Sequence, residues 1–364
     1  MRSFFEYFES LPDPRVDRTK RHKLSDILFI TMAAVLSGCD EWNEIALYGE
    51  SKQQWLRQYL ELANGVPSHD TFNRVFAALD TCALQECFLS WVQSIAQVTK
   101  GDVVSIDGKR LCGSGQNGSK AMIHMVSAWS ESNALVLAQV KVEDKSNEIT
   151  AIPCLLEVLA LKGCIVTLDA MGCQKEIAAA IVKKEADYIL AVKGNQAFLL
   201  ADLQEAFAQG KPQSEAVQLN VDHGRIEKRT CRIITDIAWV CKAAQWEGLQ
   251  TLVEITAERT NKSTNERQRE VRYYISSLTA EAGSFNKAIR SHWGIENALH
   301  WTLDVVFSED QSQKRAGHAA ENFAILTRIA LNLLKKDTST KASMKNKRHK
   351  AGWDNNYILH LLTQ

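Results

Sequence analysis

The stretch "CIVTLDAMGCQKEIAAAIVKKEADYILAVKGN", residues 164–195, decides the fold. "CIVTLDA" is a short apolar run with β-branched residues, and it stops at Asp169. "QKEIAAAIVKKEA" has its apolar residues at helical spacing. "DYILAVKGN" is a strand pattern again, closed by Gly194 and Asn195. A strand, a helix and a strand joined this tightly predict parallel strands with a helix over the sheet.

Upstream, "GDVVSIDGK" (101–109) is a β-branched run expected to end at Asp107. "AMIHMVSAWS" (121–130) and "ALVLAQVKV" (134–142) follow, joined by "ESN", a hairpin-type connection. "SNEITAIPCLLEVLALKG" (146–163) reads as a helix ended by Gly163. The order β-β-β-α-β-α-β predicts an α/β fold: a mixed five-stranded sheet with flanking helices.

Downstream, "HGRIEKRTCRIITDI", "LQTLVEITAERT" and "REVRYYISSL" alternate like antiparallel strands. They predict a β-rich insertion. From 281 the chain turns helical again. Residues 1–95 are mostly helical, with Ser25 expected to cap "LSDILFITMAAVLSG" and Gly38 to stop it. "EWNEIALYGESKQQWLRQYL" (41–60) continues at helical spacing, and Ser68 is placed to cap "HDTFNRVFAAL". The expected division is therefore an N-terminal helical domain (1–95) and the first part of a catalytic core (96–199). The β-rich insertion (200–275), the rest of the core with the Glu296 helix (276–335) and a basic tail with a short helix (336–364) follow.

The chain has 364 residues and zero formal net charge. Its longest apolar run, at 27–38, is too short to span a bilayer and reads as a buried helix. No signal-peptide pattern is present, so a cytoplasmic protein is expected. The nine cysteines include no CxxC pair, which argues against a zinc site or disulfide framework and predicts buried, reduced thiols. Basic residues cluster at 14–23 and 341–350. Solvated tails and DNA contacts are the two readings of such clusters. On the 69–79 helix His69, Asp70, Asn73 and Arg74 share a polar face that suits either DNA or solvent.

Three carboxylates carry the chemistry. Asp107 and Asp169 each end an expected strand, where α/β sheets collect ligands. Glu296 lies in "HWGIENALHW" (292–301). At 100° per residue it falls within the apolar stripe of Phe285, Ala288, Ile289, Ile295, Leu299 and Leu303. A carboxylate there is expensive unless paired or metal-bound, so Glu296 is expected to face the sheet. Three such oxygens suit two divalent ions, Mg²⁺ above all, and in-line phosphoryl transfer. A zinc site built from His292, Glu296 and His300 is excluded, because residues eight apart stand about 12 Å apart along a helix.

The patterns "IDGK", "TLDAMGCQ" and "IRSHWGIENALHWTLDVVFSED" closely resemble the ISAs1-family insertion-sequence transposases, including the H-repeat-associated, Rhs-linked type. "HKLSDIL", "GVPSHDTFNRV", "KSNEITAIP", "AVKGNQ" and "NNYIL" extend the resemblance over nearly the whole chain. It implies an RNase H-like core with a DDE triad of Asp107, Asp169 and Glu296. It also implies metal-dependent DNA cleavage, 3′-OH strand transfer, and Mg²⁺ (two ions) with Mn²⁺ as a substitute. Double-stranded DNA, both element ends and target, is the implied partner, held by a homodimer away from any membrane. A Tyr-x2-Arg-x3-Glu-x6-Lys signature occurs around the glutamate in the wider group. Ile289, His292 and Leu303 replace its other three residues here. Expected DNA contacts are Arg74, Lys109, Arg110, Lys193 and a protonated His292, with the Gly-rich loop 110–120 close to the backbone. Trp293 and Trp301 suit either base stacking or packing. The alternatives are an RNase H-like endonuclease that does not transpose, or an inactive DNA-binding remnant.

Overall fold

The computed structural model describes residues 4–115, 122–143, 146–222 and 224–363. Most of the Gly-rich loop, residues 116–120, lies outside the described residues. Helices α1 (Leu24–Leu36), α2 (Trp42–Ser51), α3 (Gln53–Leu56), α4 (His69–Ala78) and α5 (Thr81–Ile95) lead the chain. Residues 26–36 of α1 are all buried, so it is a core helix. Its N-cap position is Lys23, and Ser25 lies inside the first turn, one correction to the sequence reading. Gly38 does end the helix: at φ +96° it lets Cys39 N donate to Ala34 O. The helix expected over 41–60 breaks at Lys52, whose Nζ donates to Asn355 Oδ1 at 2.7 Å.

The sheet begins with β1 (Val103–Leu111), β2 (Ile123–Ser130) and β3 (Leu135–Lys141), which form an antiparallel meander. Helix α6 (Glu148–Val158), strand β4 (Ile165–Leu168), helix α7 (Lys175–Lys183) and strand β5 (Asp187–Val192) follow. β4 pairs parallel with β1 on one side and with β5 on the other. The expected five-stranded unit is thus present, in the spatial order β3-β2-β1-β4-β5. The sequence reading passed over α8 (Ala197–Gln209) and β6 (Ser214–Asp222).

Strands β7 (Arg225–Ile234), β8 (Thr251–Asn261) and β9 (Arg267–Ser276) complete the β-rich segment. β9 pairs antiparallel with β5, from Ile189↔Ser276 to Val192↔Tyr273. The insertion therefore continues the core sheet, giving nine strands among the described residues, the order ending -β9-β8-β7-β6. No single described helix is long and apolar enough to cross a membrane.

Helix α9 (Ala282–Gly294) packs across β1, β4, β6 and β7. Phe285, Ala288 and Ile289 are buried there against Ile189, Ile233 and Ile255. Phe285→Ala is expected to cost about 3–5 kcal/mol, checked by denaturant unfolding, because a full ring is lost from a closed layer. The chain continues through α10 (Trp301–Val305), α11 (Ala319–Lys336), α12 (Met344–Trp353) and α13 (Asn355–Leu362). α11 packs on β3 and on α1, α4 and α5. Its Asn322 donates to the carbonyls of Phe76 and Leu79, and its Asn332 exchanges two hydrogen bonds with the Val136 backbone. These bonds tie the N-terminal helices and the sheet to one buried helix.

The segment read as a basic tail with a short helix holds two helices: α13 is short, and the basic stretch before it is itself folded into α12. Lys347 is buried and donates to Leu334 O at 2.9 Å and to Asp337 O at 2.5 Å. Arg348 is buried on the Val35 carbonyl and Asp40. Those two cations are thereby withdrawn from any DNA surface. The cysteines are all free, but Cys82, Cys112, Cys154 and Cys241 are exposed, contrary to the expected burial.

Candidate active site

The parallel ladder between β1 and β4 runs from Val103↔Ile165 to Ile106↔Leu168. The next residue on each strand is an aspartate: Asp107 and Asp169. β1 itself continues to Leu111, so Asp107 lies mid-strand and not at a strand end as expected. It still marks the point where β4 has stopped and the sheet opens. Asp169 forms a tight turn there, its Oδ1 accepting from Met171 N at 2.9 Å and Gly172 N at 3.3 Å.

Glu296 reaches the same place from the other side. α9 does not continue as a regular helix; Ile295–His300 form a π-helical turn before α10. Ile295, Leu299 and Leu303 stay buried along the stripe. Glu296 is nonetheless exposed and lines the cavity, which corrects its expected burial. Asp107, Asp169 and Glu296 line one cavity of about 420 Å³, together with Thr167, Lys193, His292 and Trp293.

The electrostatics record this crowding. Burial pushes the Asp107 carboxyl up to about 7; a backbone hydrogen bond from Gly108 opposes the rise, and Asp169, Glu148 and Glu296 add to it. His292 shares its Nδ1 with Thr167 Oγ1 at 2.9 Å, and that hydroxyl donates to Ser105 Oγ at 3.1 Å. One hydroxyl has one proton, so Nδ1 is the donor and Nε2 an acceptor. Burial pushes His292 down to about 4, against Asp169 and Thr167. It is therefore neutral at pH 7 and lacks the charge that its expected phosphate contact required. His300, set aside on axial spacing, in fact stands with Nδ1 3.6 Å from Asp107 Oδ2. Its Nε2 is buried without a hydrogen-bond partner among the described residues.

The other expected DNA contacts separate. Lys193 is exposed and lines the cavity; Arg74 and Arg110 are exposed elsewhere, on α4 and β1. Lys109 is buried, with Nζ 2.6 Å from Asp304 and 2.9 Å from Asp310. Those carboxylates neutralise it, and burial keeps it from a phosphate backbone, so this contact is corrected. Trp301 is exposed, whereas Trp293 lies with the Arg272 guanidinium 4.7 Å over its ring.

A second groove of about 450 Å³ adjoins the cavity and shares Glu270, Arg272 and Trp293 with it. Arg229, Arg259, Arg272, Lys287 and Arg290 line it, against the acids Glu131, Glu227 and Glu270. Arg229 is buried, and its Nε lacks a hydrogen-bond partner among the described residues. The sequence reading missed these cations. They come from β7, β8, β9 and α9, and only strand pairing brings them together.

Among the described residues no group of three His, Cys, Asp or Glu side chains is arranged to hold a metal ion as it stands. The donor set nonetheless suits a hard divalent cation. Asp107, Asp169 and Glu296 line one cavity with no thiol beside them, Glu270 adds a fourth carboxylate at the side shared with the groove, and Asp107 is destabilised by burial and by its like-charged neighbours.

Residues 99–333 match the family "Transposase DDE domain", and residues 5–92 match its "DDE_Tnp_1-associated" domain. The Escherichia coli O157:H7 protein named "Putative transposase YncI" is 43% identical, over 100% of this chain and 95% of its own length. The "H repeat-associated putative transposase YhhI" of Escherichia coli (strain K12) is 40% identical, over 100% of this chain and 98% of its own. The sheet order, the family match and these full-length relatives agree: the chain belongs to the DDE transposases, enzymes that cut and join DNA strands on an RNase H-like core.

Proposed function

We propose that Asp107, Asp169 and Glu296 are the catalytic triad of this transposase and hold its divalent cations, Mg²⁺ with Mn²⁺ as a substitute. The supporting observation is that two adjacent strands deliver their aspartates at the end of one parallel ladder, while the π-turn after α9 delivers the glutamate to the same cavity. Bound cations would supply charge neutralisation for in-line attack on a phosphodiester. The carboxylates hold that charge in place, and neutral His292 braces the floor of the cavity through Thr167 and Ser105. Hydrolysis at an element end frees a 3′-OH, and that 3′-OH then attacks target DNA. Two copies of the chain would hold the two ends together. The protein would act in the cytoplasm, as a member of the ISAs1 branch.

The DNA backbone is assigned to the cationic groove, with Lys193 continuing the path into the cavity. Lys287→Gln and Lys193→Gln together are expected to flatten the log K against log salt slope by about 1–2. Filter binding at several salt concentrations reads it, and an unchanged slope rejects the path. Cleavage and strand transfer on a plasmid carrying the element ends test the reaction. Cut ends that never join target DNA would favour a nuclease that does not transpose.

A further inference from the structure

A fourth carboxylate approaches the triad from the opposite face of the sheet. Glu148 is the first residue of α6, after the N-cap Asn147. A glutamate in a first helical turn is ordinarily a solvated partner of the helix dipole. Glu148 is not solvated in that way: its side chain is only 13% exposed, and its Oε1 lies 2.9 Å from His124 Nε2. His124 stands on β2 directly across from Arg110 on β1.

Between them lies Gly108. A Cβ there would fall 2.1 Å from Glu148 Oε1 and 2.6 Å from His124 Nε2. The missing side chain is what lets the pair lie over β1, next to Asp107. Side chains alternate along a strand, so position 108 faces away from the side that carries Asp107. α6 packs on β2 and β3, whereas α9, which leads into Glu296, packs on β1 and β4. Glu296 and Glu148 thus bracket the two aspartates.

We propose that Glu148 is a fourth catalytic carboxylate, a ligand to the divalent cation held by Asp107 and Asp169, and that His124 is the positioning residue that orients it. This rests on the triad reading above. Gly108 serves the same end by leaving the space the carboxylate occupies.

The test uses the full chain and Mn²⁺ itself. Paramagnetic resonance titration reads ion affinity without DNA, and cleavage of element-end DNA is measured in parallel. Glu148→Gln is expected to weaken Mn²⁺ at least about tenfold and to slow cleavage about 100-fold. Gly108→Ala is expected to do the same by displacing an intact glutamate, which covers the case where the glutamine variant folds poorly. His124→Ala should weaken Mn²⁺ several-fold, and His124→Gln, which keeps a donor near Nε2, should restore most of it. Glu148→Gln that binds Mn²⁺ and cuts within about twofold of wild type overturns the proposal. Asp107→Ala separates the two failures. If it loses both properties while Glu148→Gln keeps them, only the fourth carboxylate is wrong. If it too keeps both, the triad itself fails.

Discussion

Asp107→Ala is expected to cut element-end DNA at least about 1,000-fold more slowly than wild type, a loss of about 4 kcal/mol of transition-state stabilisation. Its retention on that DNA should stay within a few-fold, because the assigned phosphate contacts lie in the groove, not on the triad. The variant should fold at least as well as wild type. Burial and three like-charged neighbours destabilise this carboxylate, and removing it relieves both. Loss of cleavage with unchanged binding and undiminished stability is the signature of a residue kept for chemistry. Gel retardation, a cleavage time course and denaturant unfolding read the three parts separately.

Arg348→Ala is expected to lower folding stability by about 3–5 kcal/mol. The guanidinium donates to Val35 O through Nε at 3.1 Å and Nη2 at 2.7 Å, and to both oxygens of Asp40. It also donates to the Val306 carbonyl and lies 4.2 Å over the Phe307 ring. It joins α1, α12 and the end of α10. Burial already raises the Asp40 carboxyl, and Arg348 opposes that rise. Without the arginine, Asp40 loses both of its guanidinium hydrogen bonds and keeps only the Lys314 charge against the cost of its burial. Read as part of a DNA-binding cluster, the same substitution would leave stability alone and weaken DNA binding. Denaturant unfolding beside a binding titration decides between the two.

The parts of the fold legible in the sequence were those with short-range causes. β1, β4 and β5 are β-branched runs bounded by turn residues; β4 and β5 fall within their expected stretches, and β1 starts within its own but runs on to Leu111. Asp107 and Asp169 followed as residues from those strands, but their adjacency did not: β2, β3 and α6 separate β1 from β4 in the chain, and only the sheet order places the two strands side by side. Glu296 was legible as a residue but not as an orientation. The wheel placed Ile295, Leu299 and Leu303 in the core correctly, but it could not show that Glu296 beside them opens onto a cavity. His300 was set aside as a shared zinc ligand of His292, and only the tertiary fold shows it beside Asp107. Lys109 looked like a free cation because its partners, Asp304 and Asp310, lie about 200 residues away. β6 was missed because Val217, Leu219 and Val221 alternate outward on the sheet edge, where exposure replaces burial as the meaning of the pattern. The groove arginines had no local signal at all.

Anomalous scattering from crystals of the full chain grown with Mn²⁺ and element-end DNA tests the central claim most directly. The predicted result is manganese density in the cavity, with carboxylate oxygens of Asp107, Asp169 and Glu296 within about 2.0–2.4 Å of the ions. Manganese bound elsewhere, with the scissile phosphate far from these three residues, would contradict it.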